Sequence, residues 1–491
     1  MIKRLISQEL TNSLLEHYPV LKDNAGYRKL VLKLIFSKNK ENYTVLDRHT
    51  LASCEGCYKK LKNHRYNAGN YLTKFQEETG LKLAIKEYSY EEGKARSAIP
   101  YFALEVQYYI QKELGYFPIG NSTNMINFIT LKKANKNTPG EIRKELEEEV
   151  KRFYDNASVE ALPLLEYLNN LPSNLFTSKV KENLDHVSSV LARLESNETN
   201  PKLKPTKDAT LREIETKILL SIYENPKPYY KPSSAGRTVR IFPHGESILL
   251  LCRKLRKAIC KGWYEYDLVS SQLAIVAKLW NITEVQEFLQ SGNHIWTSLF
   301  THLGINYTYN KLNNPGWFDA LKGLLKESLY SLIYGMKKSC LLARLTKGFK
   351  KLKIAKKGAD VLARPIMAAL YKAREAKITK VLEEGKLTLD WHDGRELLVE
   401  GNTDKERHDC VKSLLAQEAQ LMEMVLLKPV FDIAKENSKY MSITLFQHDG
   451  FTVHYNKGNL VKSLESKMKE AVRAQASLLR ITTDLEGGLI T

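Results

Sequence analysis

Asp267 and Asp449 are the two carboxylates whose surroundings best suit chemistry. Asp267 ends a short aromatic run, Trp263, Tyr264 and Tyr266, within KGWYEYDLVSSQLAIVAKLW (261–280). Asp449 lies in His448-Asp449-Gly450, a tight turn between the β-rich halves of MSITLFQHDGFTVHY (441–455). Taken singly, a carboxylate at a strand end is an ordinary N-cap or turn former. A third stretch, KGLLKESLYSLIYGM (322–336), changes the weighting. It places Lys322, Lys326, Tyr330 and Tyr334 four residues apart, so they share one helical stripe that ends at Gly335. Lysines hold phosphates as point charges, and an aromatic ring stacks on a base or packs against a sugar. The stripe therefore suits a nucleotide.

Holding such groups in place takes a strand, two helices and a hairpin. Trp263, Tyr264 and Tyr266 have strand propensity, and Leu273, Ile275, Val276 and Leu279 give the apolar face of a helix directly behind Asp267. The runs on either side of His448-Asp449-Gly450 read as paired strands.

In this order and with these spacings, the three stretches resemble the palm and fingers motifs of the family A DNA polymerases, the group of bacterial DNA polymerase I, and of the single-subunit RNA polymerases. Asp267 falls on the first metal-binding Asp. Gln272 stands where the DNA enzymes carry a Glu. Lys326, Tyr330 and Tyr334-Gly335 fall on the fingers-helix lysine, its aromatic partner and its Tyr-Gly, and Lys322 stands where an Arg is usual. His448 and Asp449 fall on the His-Asp of the third motif, whose Glu in the DNA enzymes is Gly450 here. Ser234-Ala235-Gly236-Arg237 is similar to a Gly-Arg segment that touches the primer–template, and Gln417 to a glutamine that reads the template side. Gly292-Asn293-His294-Ile295 resembles a Gly-Asp-Ile-His segment, and Leu479–Gly488, after a helix near 459–476, the closing strand. The resemblance covers about residues 230–491.

It implies an α+β right-hand polymerase: a palm with an antiparallel sheet, and helical fingers and thumb. Asp267 and Asp449, with the main-chain carbonyl of Leu268, would hold two Mg²⁺ ions, for which Mn²⁺ can substitute; hard oxygen donors suit these ions. Lys326 would bind the incoming triphosphate and protonate the leaving group, while His448 would sit near the primer end. The Gln272 side chain would crowd a ribose 2′-hydroxyl together with Tyr330. Partners are then a DNA primer–template, with RNA as an alternative, and dNTPs. The chain is expected to be a monomer, working alone or with accessory replication proteins.

Composition agrees. The 491 residues are 43% hydrophobic, enough for more than one core, and Lys and Arg outnumber Asp and Glu by 75 to 56, a formal charge of +19. Such an excess favours a polyanion, because each neutralised phosphate releases counterions. The six cysteines, at 54, 57, 252, 260, 340 and 410, are too few and scattered for a disulfide framework, which suggests a reducing, cytoplasmic setting. Cys54-x-x-Cys57 with His64 lacks the second pair that a structural zinc needs. No apolar run is long enough to span a bilayer, and MIKRLISQEL lacks the apolar core of a secretory signal.

The first half divides at 115 and 229. Residues 1–115 read as a small α+β unit: helices at 27–37, 49–60 and 67–79, a strand at 81–90, a charged turn, and a strand at 101–109. That is the order of a winged helix, with Lys59, Lys60, Lys62, His64 and Arg65 placed for phosphate contacts; a structural domain with a solvated basic face fits equally. Residues 116–229 read as helices rich in charge, broken by the linker-like SNETNPKLKPTKD (196–208), and are either a thumb or a helical spacer. The resemblance implies that residues 230–491 form the polymerase palm and fingers. No constellation for a proofreading exonuclease is visible. Three functions follow: a DNA polymerase without proofreading serving a plasmid, phage or mobile element; a primase-like or transcribing RNA-synthesising enzyme; and a non-catalytic nucleic-acid-binding protein.

Overall fold

A computed structural model describes residues 4–37, 43–57, 67–88, 95–115, 125–134, 138–151, 154–197, 211–232, 239–245, 247–447 and 450–491. The chain is α+β, mostly helical with small antiparallel sheets. The sheet that carries Asp267 has four strands, in the order Met441–Gln447, Gly450–Tyr455, Tyr264–Leu268, Leu485–Leu489. Its register sets Asp267 opposite Gly450 on one side and Glu486 on the other. Because side chains alternate across a strand, Glu265 and Asp267 share one face with Glu486, and Tyr266 and Leu268 point to the other. Tyr266 is fully buried, stacked on Phe451 at 5.6 Å, and its hydroxyl meets that of Tyr455 at 3.0 Å.

Two long helices accompany this sheet. Asp404–Glu436 starts at a capping box, in which Thr403 accepts from Glu406 N and Glu406 accepts from Thr403 N. Its Phe431 packs edge-on against Phe446 at 5.6 Å. Val461–Leu479 precedes the closing strand and buries Leu464, Met468, Val472 and Ala476, a four-residue repeat that makes one apolar stripe.

A helical lobe with its own core follows the helix Ser271–Leu279. Its helix Pro315–Ile333 is entered through Pro315 at the first turn, where a missing N–H costs nothing. Leu321, Leu325, Leu329 and Leu332 bury one stripe of it, which leaves Lys322 and Lys326 off the core.

The N-terminal region closes around a separate core that runs from Ile6 to Ile129 and takes in Leu220 from helix Leu211–Glu224. Helix Ala25–Phe36, strand Thr44–Leu46, helices Arg48–Glu55 and Ala68–Thr79, and strands Lys82–Tyr88 and Ala95–Tyr101 follow in that order, and the strands pair with Ala95–Tyr101 in the middle. The second hairpin strand is therefore 95–101, not 101–109. Residues 104–115 are helical, because Phe102, Val106 and Ile110 recur every four residues and are buried, a helical rather than an alternating period. Strand Leu5–Ser7 pairs with Met125–Asn127, so this core continues past residue 115. Cys54 is buried and its thiol is pushed up to about 12, chiefly by desolvation, so it stays protonated. Lys59, Lys60, Lys62, His64 and Arg65 lie outside the described residues.

The helices Leu162–Asn169, Ser173–Glu182, Leu184–Asn197 and Leu211–Glu224 share the core of the central sheet. Phe176 meets Trp263 edge-on at 5.9 Å, and the Tyr167 hydroxyl accepts from Ile443 N. Among the described residues no helix is long and apolar enough to cross a membrane.

Candidate active site

Asp267 is exposed on the strand Tyr264–Leu268, flanked by Tyr266 and Leu268 with almost no accessible surface. The strand leaves it through Val269, whose N–H donates to Asp484 O and whose carbonyl accepts from Thr483 Oγ1, and then turns at Ser270, φ 51°, into the next helix. These bonds pin the backbone on the C-terminal side of the carboxylate.

Gly450 lies directly across from it. A Cβ at 450 would stand 3.1 Å from Tyr266 O and 3.2 Å from Asp267 Oδ1, so glycine keeps the space beside the carboxylate open. On the opposite strand Glu486 is also exposed. Two carboxylates facing each other across a ladder repel, and the donors on this face are oxygens, the kind a hard divalent cation takes. His448 and Asp449, which join Gln447 to Gly450, lie outside the described residues, as does Arg237.

Behind Asp267, Gln272 is buried with both ends of its amide engaged. Its Nε2 donates to Glu423 Oε1 at 2.5 Å, and its Oε1 accepts from the Tyr334 hydroxyl at 2.8 Å. Glu423, 1% exposed, also accepts from Arg240 Nη2 at 2.9 Å. The aromatic that hydrogen-bonds Gln272 is thus Tyr334. Tyr334 caps the helix Pro315–Ile333 and is partly exposed. Gly335 follows at φ 90°, a backbone conformation that favours glycine, and a Cβ there would come within 2.8 Å of the Lys412 side chain.

On the same helix Lys326 is exposed, with its Nζ 5.4 Å from the centre of the half-buried Tyr330 ring. One turn earlier Lys322 is half-buried, and its ammonium is shifted down by burial, with Lys311 and Arg253 adding to the shift and Asp319 opposing it. Gln417 is half-buried on Asp404–Glu436, six residues before Glu423. Sequence reasoning passed over Arg240, Glu423 and Glu486. The one signal for Glu423 was a charged residue amid the apolar LMEMVLL (421–427) of a buried helix.

Among the described residues, the grouping with metal-ligand spacing is elsewhere: Glu160, His392 and Asp393. Arg395 already pairs with Glu160 and with Asp393 there, which makes it an ion-pair cluster joining a loop to the turn after strand Lys386–Thr388.

No protein-family model matches the chain, and no curated protein matches it in sequence. Among solved structures it is similar to the POL domain of Pol1 from M. smegmatis, in complex with DNA primer–template and dNTP. The identity is 13%, the match covers 79% of this chain and 73% of that one, and the TM-score is 0.42. A likeness that distant carries neither fold nor function on its own.

Proposed function

We propose that this chain is a template-directed nucleotidyltransferase, a DNA polymerase without proofreading, with the central sheet as palm, the lobe of residues 283–384 as fingers and the helices of 138–224 as thumb. The observation that supports it most is the register that sets Gly450 opposite Asp267. Asp449 directly precedes that glycine in the sequence, and on this reading it would be the second metal-binding carboxylate beside Asp267.

Asp267 and Asp449, with the Leu268 carbonyl, would hold two Mg²⁺ ions, which when bound supply an activated primer hydroxyl and neutralise the leaving pyrophosphate. The chain's own groups do the rest. Lys326, exposed beside Tyr330, neutralises the incoming triphosphate and hands a proton to the leaving group. Lys322, partly desolvated, adds a second cation to the stripe. Tyr334, fixed through Gln272, and Tyr330 border the nucleotide, while His448, Arg237 and Gln417 meet primer and template. The N-terminal unit, with its helices followed by a hairpin, acts as a nucleic-acid reader.

A second reading, RNA synthesis on the same scaffold, is favoured by Gly450, since the DNA enzymes it resembles carry a Glu there. Primer extension on DNA and RNA templates, with dNTPs and rNTPs supplied separately and an unprimed control, separates the readings. Extension of a primer with dNTPs supports the first; unprimed synthesis with rNTPs supports the second; binding without synthesis overturns both.

A further inference from the structure

Gln272, Glu423, Arg240 and Tyr334 come from four separate elements. Arg240 precedes the strand Ile241–Pro243, Gln272 lies on Ser271–Leu279, Glu423 on Asp404–Glu436, and Tyr334 at the end of Pro315–Ile333. Three hydrogen bonds join them in a line, Arg240 to Glu423 at 2.9 Å, Gln272 to Glu423 at 2.5 Å and Tyr334 to Gln272 at 2.8 Å. The line begins at a partly buried cation, passes through a carboxylate 1% exposed and an amide 4% exposed, and ends on a phenol 37% exposed.

The donor order along it is set by chemistry. Glu423 is acceptor-only when ionised, so the Gln272 amide must turn its NH₂ toward it. The amide oxygen then faces Tyr334, which must donate its one proton. Reversing the amide would set its oxygen against the carboxylate, and a Glu at 272 would set two carboxylates against each other. The charge on Glu423 therefore explains why an amide stands at 272, and it dictates which polar atom Tyr334 meets.

Resting on the polymerase reading above, we propose that Glu423, held by Arg240, is a positioning residue for sugar selection. It acts through Gln272 to fix the Tyr334 ring at the mouth of the nucleotide site, and the Tyr334 ring and hydroxyl, not the buried Gln272 amide, face the nucleotide's 2′ position. Glu423 itself touches no substrate. When the line is intact the ring is held in one place and the room beside the sugar is fixed. When it is cut the ring is free to swing, and the ribose and deoxyribose forms are less well told apart.

The test is single-nucleotide incorporation with rNTP and dNTP of the same base, for wild type, Glu423→Gln, Gln272→Glu and the double swap Gln272→Glu/Glu423→Gln. The double swap restores one amide and one carboxylate to the buried pair. Each single change should shift the rNTP-to-dNTP ratio of kcat/KM about tenfold or more, mostly through KM, and the swap should bring it back to within about threefold of wild type. Singles that leave the ratio unmoved, or a swap no nearer wild type than the singles, overturn the proposal. If wild type incorporates neither nucleotide, the polymerase reading fails by itself. The line is then judged by denaturation midpoints of Tyr334→Phe, Glu423→Gln and their combination: non-additive shifts keep the coupling, and additive ones remove it.

Discussion

Two arginines taken partly or wholly out of water show how differently the N-terminal unit and the central region use buried polarity. Arg28, 7% exposed, spends its guanidinium on main-chain carbonyls, Ile129 O at 3.0 and 2.8 Å, Leu21 O at 2.5 Å and Lys22 O at 2.8 Å. It staples three turns of one domain together with neutral acceptors, and burial shifts its pKa down while Asp23 opposes that shift. Arg240 instead opens a chain of side chains that reaches the surface at Tyr334. Buried polarity in the first region closes on itself and stabilises; in the second it connects to an exposed group next to the candidate chemistry. The central sheet likewise carries charge at its surface, with Asp267, Glu265 and Glu486 on one face and Lys257 3.4 Å from Glu265.

The largest effect is expected from Arg28→Met. Two buried carbonyls, Ile129 O and Leu21 O, lose their donor, and at about 1–3 kcal/mol for each unsatisfied group the loss should be about 4 kcal/mol. Denaturant unfolding should show it, while incorporation per folded molecule stays near wild type. A loss of turnover out of proportion to the unfolded fraction would break the separation between the regions.

Next in size is a pH effect at the junction of the regions. The Lys227 amine is pushed down to about 8, first by burial and then by Arg143, with Glu147 opposing. Its folded value lies below the unfolded 10.5, so the burial penalty is present in full below pH 8. Between about 8 and 10.5 the unfolded state binds more protons, and stability rises with pH. The rise amounts to about 3 kcal/mol across that window; the Lys227→Met curve should lack it, so the difference between the two unfolding curves should show it.

Gly450→Ala comes third. The new Cβ, 3.2 Å from Asp267 Oδ1, forces a shift of a few tenths of an ångström at the carboxylate. We expect about a tenfold loss of incorporation, about 1.4 kcal/mol, with little change in unfolding. The smallest effect is expected from Lys59→Gln, Lys60→Gln and Lys62→Gln combined. If the N-terminal unit reads nucleic acid, the slope of log K against log salt should flatten by about 0.9 for each phosphate that is no longer neutralised. An unchanged slope would make the unit a scaffold.

The elements that carry the site were legible because their signals are local. The aromatic strand before Asp267, the stripe Lys322, Lys326, Tyr330, Tyr334 and the hairpin around Gly450 each show a period or a turn within a dozen residues. A strand at 101–109 is the wrong reading because Tyr101, Ala103 and Glu105 mimic the start of an alternating run, while tertiary burial of Val106 and Ile110 decides for helix. Gln272 was legible as a position but not in its partner. Its bond to Glu423 spans 151 residues of sequence, and Glu486 meets Asp267 only through strand order. Neither juxtaposition leaves a periodic trace.

On the polymerase reading, Asp267 serves nucleotidyl transfer and not the fold. Its exposed carboxylate can be removed without opening a cavity, so Asp267→Ala should unfold like wild type and bind a primer–template with unchanged affinity. Single-turnover incorporation should fall about a thousandfold or more, since losing about 4 kcal/mol of transition-state stabilisation has that effect. Incorporation by Asp267→Ala within about tenfold of wild type would contradict the account.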